Sequence, residues 1–371
     1  MMADDPLTAF DEKLAKANIY GQWTGEKLFR NTDGPQPAGE PCLWKWAEVR
    51  SLLDEAAEVM PESQTARRSL MFDNPGLPRG TTHTMAMGMQ LIRPGETAWT
   101  HRHSIAALRF TIEGAANLYT VVDGEPYPME DNDLVLTPGW TWHDHHNESD
   151  KPAIWLDVLD VPLMGALNQV FYESFGEDRQ PLADESGAMT ARLGTLRPAW
   201  EARPTARVAV RYPWKDAEAQ LRRLAGADAS PYDGVALEYV DPLTGGPTLP
   251  TLSCWLQWLK PGQELKPHRR TSSAVCFVIR GQGRTVIDGT EIDWGPRDGF
   301  CIPNWAWHHH MNTSASEEAV LFSVHDIPLL RALGLYREEP EDSLGTGAPP
   351  PVPGNIADRT REPAAEQNKE K

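Results

Sequence analysis

The stretch LIRPGETAWTHRHS at residues 91–104 returns as WLKPGQELKPHRRT at residues 258–271. Further along each copy, TPGWTWHDHHN at residues 137–147 returns as IPNWAWHHHMN at residues 302–312. Equivalent positions are 167 residues apart in the first pair and 165 in the second, so the order and spacing of the motifs agree as well. Chance repetition over this length is implausible, and the chain is predicted to contain two copies of one structural unit.

Around both motifs, apolar and polar residues alternate in short runs that Gly, Pro and Asp interrupt. The runs MAMGMQLI, ALRFTIEG, NLYTVV and DLVLTP follow one another from Met85, and similar runs return in residues 235–327. Many short strands at this spacing are typical of a sandwich or barrel, so the fold class is predicted to be all-β. Amphipathic patterns predict helices over Leu7–Asn31, within Trp44–Val59 and at Asp216–Leu224.

These patterns divide the chain into five segments. An arm with helices precedes the first β unit, a linker with a helix separates the two units, and a tail follows the second. The tail is rich in Pro, Gly, Glu and Lys and cannot bury enough apolar surface to fold, so disorder is expected there. The predicted boundaries are 1–72 for the N-terminal helical arm, 73–164 for the first β unit, 165–231 for the linker, 232–332 for the second β unit and 345–371 for the tail.

Composition and charge exclude several classes of partner. The formal net charge of −18 argues against nucleic acid and against an anionic membrane, because both attract a surplus of Lys and Arg. No apolar run approaches the roughly 20 residues of a membrane-spanning helix, and the acidic start MMADDPLTAF does not resemble a signal peptide. The four cysteines lack a CxxC spacing and are expected to be reduced core residues. A cytoplasmic protein is expected.

The first copy contains a histidine pattern that suits a metal ion. His101 and His103 are two residues apart, so on a strand both side chains point to the same face. His143 lies on a later strand that can bring a third imidazole to the same place. An isolated His-x-His pair is more often a solvated surface feature. Together, three such histidines predict a facial set of nitrogen ligands for iron, manganese, zinc, copper or nickel.

The residues around these histidines resemble the cupin signature. Its first half, H-x-H-x3-E-x6-G, is matched within residues 101–114, and its second half, P-x-G-x2-H-x3-N, within residues 138–147. Two positions depart from the pattern, since Ala107 replaces the glutamate ligand and Trp140 replaces a glycine. By this resemblance the chain is a bicupin, with two double-stranded β-helix (jelly-roll) barrels and additional helices in the N-terminal arm and the linker.

The missing glutamate has a chemical consequence. Three neutral imidazoles leave a divalent ion with three open positions and an uncompensated charge, so the substrate is expected to supply anionic ligands. An ortho-hydroxybenzoate, which binds through a carboxylate and a phenolate oxygen, would fill two positions and leave one for O2. Fe(II) suits this arrangement, because it can bind and reduce O2.

Beyond the metal ligands, the chain resembles the gentisate 1,2-dioxygenase family, which includes salicylate and 1-hydroxy-2-naphthoate dioxygenases. The resemblance is carried by RRSLMFDNPGL (67–77), MGMQLIRPGE (87–96), HRHSIAALRFTIEG (101–114), TPGWTWHDHHN (137–147) and WLDVLDVP (155–162). It implies an Fe(II)-dependent enzyme that uses O2 to cleave gentisate between its carboxyl- and hydroxyl-bearing carbons. A 5-substituted salicylate or 1-hydroxy-2-naphthoate is the alternative substrate. An oxygen-independent cupin metalloenzyme and a non-catalytic ligand-binding bicupin are the alternatives from other classes.

The same resemblance assigns individual residues to the site. The implied metal ligands are His101, His103 and His143, and the residues implied to line or support the substrate pocket are Arg67, Gly88, Gln90, Arg109, His145 and Asp157. Ala86 stands where related enzymes tend to carry an aromatic residue against the bound ring. Its small side chain predicts a larger pocket that admits a second fused ring or a large substituent.

Catalytic roles are expected for Arg109, Asp157 and His145. Arg109 is predicted to lie in a barrel strand, where a bare guanidinium is costly unless a substrate carboxylate or Asp157 pairs with it. His145 shares a strand face with His143 and is expected to act as an acid-base group or, alternatively, only to orient neighbouring groups. His146 is expected to face away from them into solvent.

The second copy has lost part of the histidine pattern. His268 is retained, but Arg270 stands at the position of the second histidine, and Arg280 replaces Glu113, which is expected to place two cations where a dication would sit. His308 and its neighbours supply nitrogen atoms at one corner only. No iron is expected in this barrel, which is predicted to serve packing and oligomer contacts. A homo-oligomer, by family likeness a tetramer, is expected.

Overall fold

A computed structural model describes residues 6–25, 34–60, 68–183, 210–226 and 229–343. Short antiparallel strands are the main regular secondary structure of these residues, as the alternating pattern predicts. The described residues up to Gln36 form one unit, and those from Pro37 onward form another. The predicted tail lies outside the described residues.

The N-terminal unit contains helix α1 (Pro6–Lys16) and a short 3-10 helix (Gln22–Gly25). The sequence pattern predicts one helix as far as Asn31, but α1 is shorter. It ends where Asn18 adopts a φ of 55°, a left-handed conformation that is common just after a helix and stops its hydrogen-bond pattern. Residues 26–33 lie outside the described part of the chain.

In its described residues the larger unit contains four further helices, two of them at positions where the sequence predicts a helix. Their bounds are α2 (Trp46–Val59), α3 (Val161–Ala166), α4 (Trp214–Leu224) and α5 (Ile327–Ala332), followed by a 3-10 helix at Glu341–Ser343. No helix in the described residues has both the length and the apolar character to cross a membrane.

Strands at the centres of the two large sheets are buried along almost their whole length, whereas most strands at the sheet edges are more exposed. In chain order the strands of this unit are β1 (Cys42–Trp44), β2 (Ser69–Phe72), β3 (Ala86–Ile92), β4 (Thr97–His103), β5 (Ala107–Glu113), β6 (Leu118–Val122), β7 (Glu125–Pro128), β8 (Leu134–Thr137), β9 (His143–Asn147), β10 (Ala153–Leu159), β11 (Tyr172–Ser174), β12 (Arg211–Tyr212), β13 (Val235–Glu238), β14 (Ser253–Leu259), β15 (His268–Arg270), β16 (Ala274–Arg280), β17 (Gly283–Ile287), β18 (Thr290–Trp294), β19 (Gly299–Ile302), β20 (His308–Asn312), β21 (Ala319–His325) and β22 (Glu338–Pro340).

Each copy of the repeat folds into a barrel of two antiparallel sheets. The first barrel has a six-stranded sheet in the order β12-β8-β5-β10-β3-β2 and a five-stranded sheet in the order β11-β4-β9-β6-β7. The second barrel has the orders β1-β19-β16-β21-β14-β13 and β18-β17-β20-β15-β22. Strand for strand, the two topologies are the same, which is the structural form of the sequence duplication.

The barrels exchange their outermost elements. We call β1 with α2 the first strap and β12 with α4 the second strap; each precedes its own barrel in sequence, and its strand pairs with the other barrel. β1 adds to β19 of the second barrel, and β12 adds to β8 of the first. The backbone N–H of Trp46, which begins α2, donates to Asp298 Oδ1 at 2.8 Å. That of Trp214, which begins α4, donates to Asp133 Oδ1, also at 2.8 Å. The duplicated unit is therefore a strap plus a barrel.

Two reciprocal hydrogen bonds and a shared core join the barrels. Thr84 Oγ1 donates to Asp326 Oδ2 at 2.6 Å, and Thr251 Oγ1 donates to Asp160 Oδ2 at 2.7 Å. Phe110 of the first barrel stacks on Phe322 of the second, with ring centroids 4.3 Å apart. The sheets that carry β5 and β21 are therefore buried on both faces, and the opposite sheets carry the histidine clusters.

Candidate metal centre

His101 and His103 lie on β4 and His143 lies on β9, two paired strands of the first barrel. The strand register places His101 opposite His143, and the two-residue spacing puts His103 on the same face. The ring centroid of His143 is 4.3 Å from that of His101 and 4.8 Å from that of His103. One ring nitrogen from each histidine lies within 4.8 Å of the others. The fold thus brings together the three residues that the sequence singles out as ligands.

Hydrogen bonds determine which nitrogen of each ring faces the cluster. In all three rings Nδ1 lies against a backbone carbonyl two residues away in sequence. Because a carbonyl only accepts, the proton resides on Nδ1, and Nε2 is left with a lone pair for a ligand. The bonds run from His101 to Trp99 O at 2.7 Å, from His103 to Ile105 O at 2.8 Å and from His143 to Thr141 O at 3.0 Å.

The environment of His143 fits a metal ion. Its Nε2 is buried, and no group in the described part of the chain forms a hydrogen bond with it. Buried nitrogen atoms without partners are uncommon, and a bound cation would satisfy this one. Burial, Arg109 and the neighbouring imidazoles hold the pKa of His143 well below its ordinary value, so the ring is neutral, as a metal ligand must be.

Within the described residues, the cluster of possible ligands consists of the three histidines alone. Ala107, at the position of the signature's glutamate, is fully buried on β5. The site therefore offers three neutral nitrogen atoms and no negative charge. A divalent ion held in this way keeps open positions that an anionic ligand can fill.

Arg109 on β5 and Asp157 on β10 lie opposite each other beside this cluster, with Arg109 Nε 3.4 Å from Asp157 Oδ1. Burial raises the pKa of Asp157 to about 6, although Arg109 and the Trp155 indole, which donates to Oδ1 at 3.1 Å, oppose that effect. Burial likewise lowers the pKa of Arg109, in spite of Asp157. For both groups burial outweighs the ion pair, because a single contact at this distance is weak. The guanidinium is thus incompletely neutralised and can bind a further anion.

His145 lies on the same face of β9 as His143, with ring centroids 5.9 Å apart. The ring packs against Trp155 at a centroid distance of 5.3 Å, and its Nδ1 lies 2.8 Å from Thr120 Oγ1. Burial and Arg109 hold the pKa of His145 well below its ordinary value. His145 is therefore a neutral imidazole next to the three ligand rings.

The predicted pocket residues on β3 alternate along the strand, so Ala86, Gly88 and Gln90 share one face. Ala86 and Gln90 are buried. A β-carbon on Gly88 would lie 2.6 Å from the carbonyl oxygen of Leu70, so the close approach of β2 requires a glycine there. Arg67 lies outside the described residues.

Several known proteins are similar to this chain in sequence. The cupin domain family matches residues 88–159 and 255–325, one segment in each barrel. The chain is 46% identical to a 1-hydroxy-2-naphthoate 1,2-dioxygenase of Nocardioides sp. (strain KP7), over 93% of this chain and 90% of that protein. It is 43% identical to a 5-aminosalicylate 1,2-dioxygenase of Comamonas sp., over 90% of each. A gentisate 1,2-dioxygenase of Haloferax sp. is 38% identical over 88% of this chain and 95% of that protein.

A solved structure shares the fold as well. Salicylate 1,2-dioxygenase from Pseudoaminobacter salicylatoxidans, crystallised as an adduct with gentisate, has a TM-score of 0.82 and 32% sequence identity, over 92% of this chain and 96% of that one. The chain belongs to this family of ring-cleaving bicupin dioxygenases. The predicted fold class and family are confirmed.

In the second barrel of this dioxygenase, an arginine takes the position of the second histidine. His268 and His308 keep their register, with ring centroids 4.4 Å apart. Arg270 donates to both carboxylate oxygens of Asp233, at 2.7 and 2.8 Å, and to Glu338 Oε1 at 2.9 Å. Burial alone would raise the pKa of Asp233, but Arg270 and His268 bring it well below its ordinary value. A guanidinium held by two carboxylates thus stands beside the two histidines.

Two side chains differ from the sequence-based expectation. His146 is buried rather than solvated, because the chain around Gln180 covers the outer face of β9, and its Nε2 lies 2.8 Å from Asp144 Oδ1. Arg280 does not add a second cation to the histidines of the second barrel. It points to the opposite side, where it donates to Glu318 Oε1 at 2.7 Å.

Sequence reasoning missed two residues of the dioxygenase that the structure places in these clusters. Asp233 has no counterpart in the first copy, so nothing in the repeat points to it. Thr120 does have a counterpart, Thr285, and each contacts a histidine of its own barrel at 2.8 Å. The retention of threonine at both positions is the signal that could have identified this contact.

Proposed function

We propose that the chain is an Fe(II)-dependent dioxygenase that uses O2 to open the aromatic ring of gentisate between the carboxyl- and hydroxyl-bearing carbons. The observation that carries this proposal is the cluster of three neutral imidazoles without a carboxylate. Gentisate supplies two anionic oxygens of its own, so acid and site are complementary in charge. Fe(II) held by His101, His103 and His143 would supply the binding and reduction of O2.

Arg109 is assigned to the carboxylate of the substrate. Its guanidinium is buried, lies 3.4 Å from the Asp157 carboxylate and donates to the hydroxyl of Thr137. Asp157 holds the guanidinium in place, and Trp155 holds Asp157. His145 is assigned to the hydroxyl side of the substrate, since it shares a strand face with His143. Arg67 and Gln90 are assigned to the pocket wall on the grounds of the family resemblance.

A larger substrate is the second candidate, and Ala86 is the observation that favours it. Its methyl group is the whole side chain at the start of β3, on the face that also carries Gln90. A larger side chain there would occupy space beside the bound ring. The relatives named for 1-hydroxy-2-naphthoate and 5-aminosalicylate are also more similar to this chain than the one named for gentisate.

Further assignments concern the assembly and its location. A homotetramer in the cytoplasm is proposed, in line with the family resemblance.

The test is oxygen uptake after anaerobic reconstitution with Fe(II). Gentisate, salicylate, 5-aminosalicylate and 1-hydroxy-2-naphthoate are compared, and ring opening is followed as a new conjugated oxo-acid absorbance. Gentisate is expected to consume one O2 per ring opened. Turnover of the acid that is equally fast without O2 would instead show an oxygen-independent metalloenzyme, and binding without turnover would show a ligand-binding bicupin.

A further inference from the structure

The two barrels contain the same histidine–threonine contact. His145 Nδ1 lies 2.8 Å from Thr120 Oγ1 in the first barrel, and His310 Nδ1 lies 2.8 Å from Thr285 Oγ1 in the second. Both histidines are 165 residues apart in sequence, as are both threonines, and all four side chains are buried. A distance alone does not show which partner donates, because a threonine hydroxyl can both donate and accept.

A third residue contacts each threonine hydroxyl and shows whether that hydroxyl donates to the histidine or accepts from it. This residue differs between the two barrels. Thr120 Oγ1 lies 3.1 Å from Met129 Sδ, and a thioether sulfur can only accept. At the equivalent position of the second barrel, Trp294 Nε1 lies 2.9 Å from Thr285 Oγ1, and an indole N–H can only donate. Met129 and Trp294 are also 165 residues apart. One threonine thus has a partner for its proton, and the other has a partner for its lone pair.

We propose that Met129 and Thr120 are positioning residues that fix the proton of His145 on Nδ1 and present its Nε2 to the metal pocket as a hydrogen-bond acceptor. Thr120 gives its proton to Met129 and accepts from His145 Nδ1. In the second barrel the order is reversed. Trp294 donates to Thr285, Thr285 donates to His310 Nδ1, and the proton of His310 is on Nε2.

The number of hydrogen-bond donors with an acceptor is higher when the proton of His145 is on Nδ1 than when it is on Nε2. With the proton on Nδ1, the imidazole N–H and the threonine O–H both have acceptors. With the proton on Nε2, Thr120 would donate to Nδ1, Met129 would have no role, and the Nε2–H would have no acceptor in the described residues. A bond to sulfur is weaker than a bond to nitrogen, but a donor without an acceptor is the costlier defect.

The inference deepens the proposed function and rests on it for the identity of the ligand. Arg109 is a donor and suits the carboxylate of an aromatic acid. An acceptor at His145 Nε2 suits the other polar group of an ortho-hydroxy acid, the ring O–H, which can give its proton to this nitrogen and so become the phenolate. The two ends of the pocket thus distinguish the two oxygen substituents, which orients the ring relative to the three ligand histidines.

The direct test is the protonation pattern of the imidazoles by long-range 1H–15N NMR on protein labelled with 15N-histidine and loaded with diamagnetic Zn(II). His145 is expected to carry its proton on Nδ1 and His310 on Nε2, with assignment by the single variants His145→Gln and His310→Gln. Met129→Leu, which removes the sulfur, is expected to shift His145 towards the Nε2–H form. The same form at both histidines, or no response to Met129→Leu, overturns the inference.

Turnover of the Fe(II) enzyme supplies the second arm. Thr120→Val is expected to lower kcat about tenfold, the usual scale for loss of a supporting hydrogen bond, whereas Thr120→Ser restores it. Thr285→Val makes the same change in the second barrel and is expected to leave kcat unchanged. This control separates the loss of the hydrogen bond to His145 from a general effect of the Thr→Val change on packing. Equal losses in both valine variants overturn the inference. If no acid consumes O2 while NMR shows the opposite protonation of the two histidines, the proposed function fails and the assigned proton positions stand.

Discussion

Arg109 Nε and Asp157 Oδ1 are 3.4 Å apart on neighbouring strands of the metal-binding barrel, with only 6% and 7% of their side chains exposed. Burial raises the pKa of Asp157 to about 6, so this carboxyl changes charge within an accessible pH range. The charge that Arg109 presents to the pocket therefore depends on pH.

Binding of an aromatic acid should strengthen as the pH falls through about 6, the value to which burial raises the pKa of Asp157. Below it Asp157 is neutral, and the full charge of Arg109 is available to the carboxylate ligand. Above it the Asp157 anion competes for the same guanidinium. Titration of metal-free protein with benzoate between pH 5 and 8 measures the effect. The pH dependence should disappear in Asp157→Asn, and a dependence that survives this change would contradict the assignment.

Stability should respond to the same carboxyl with a defined sign. Its pKa is about 6 in the folded protein and 3.8 as a model value, so in this window the folded form takes up a proton that the unfolded form does not. Its contribution to stability is therefore lost as the pH rises from about 4 to 6, and the loss is about 3 kcal/mol. Urea unfolding at several pH values should show this fall in the native protein and a flatter profile in Asp157→Asn. Parallel profiles would show that Asp157 is already ionised in the folded state below this window.

Ala86→Trp should narrow the pocket. The added indole would occupy the space beside the bound ring, so turnover of 1-hydroxy-2-naphthoate is expected to fall at least tenfold more than that of gentisate, the scale of a steric clash of about 1.4 kcal/mol or more. The ratio of kcat/KM for the two acids is the measurement. Ser253→Trp makes the matched change at the equivalent strand position of the second barrel and should leave that ratio unchanged. An unchanged ratio in Ala86→Trp would place this residue outside the pocket.

Asp298→Ala should destabilise both barrels together. Asp298 accepts the first N–H of α2 at 2.8 Å and pairs with Lys45 Nζ at 2.8 Å, so its loss removes two contacts that hold the first strap to the second barrel. The expected cost is about 1–3 kcal/mol for a partly buried donor left without its acceptor. Because the strap belongs to the first repeat, unfolding should remain a single transition at a lower midpoint. Two separate transitions would show that the exchange does not couple the barrels, and Glu291→Ala, an exposed carboxylate, serves as the control.

Arg270→Met should destabilise the second barrel without affecting metal content. It leaves the largely buried Asp233 without its guanidinium partner, and removal of one partner of a buried ion pair costs up to about 3–5 kcal/mol. The pKa of Asp233 is below its ordinary value, so this stabilisation is present above the unfolded pKa of 3.8 and is lost as the pH falls. Thermal unfolding at pH 7 measures the effect.

Arg270→His should leave turnover nearly unaltered, and a large gain in activity would mean that the second barrel is a latent active site.

The duplication, the all-β class and the three ligand histidines could be predicted from the sequence, because each leaves a short-range signature. His101 and His103 share a strand face by alternation, and His143 follows at the spacing of a known motif. The same alternation correctly turns His146 away from the cluster. It does not show what covers the outer face, which depends on the chain near Gln180.

The exchange of straps could not be predicted, because the sequence of a short edge strand does not specify the strand with which it pairs. In the strand register Cys42 of β1 lies opposite Cys301 of β19, and nothing in a three-residue strand specifies a backbone pairing at that sequence separation. The position of Arg280 shows a related limit. The repeat aligns it with Glu113, yet alignment does not say that both of these side chains point away from the histidines, towards ion-pair partners such as Glu318.

Metal stoichiometry after anaerobic reconstitution with Fe(II) tests the central claim most directly. The native protein and His308→Ala are expected to hold one iron per chain, since His308 is the equivalent of His143 in the second barrel. His143→Ala is expected to hold none and to consume no O2 with gentisate. Iron retained in His143→Ala, or native protein that is fully active without iron, would contradict the assignment of the three-histidine centre.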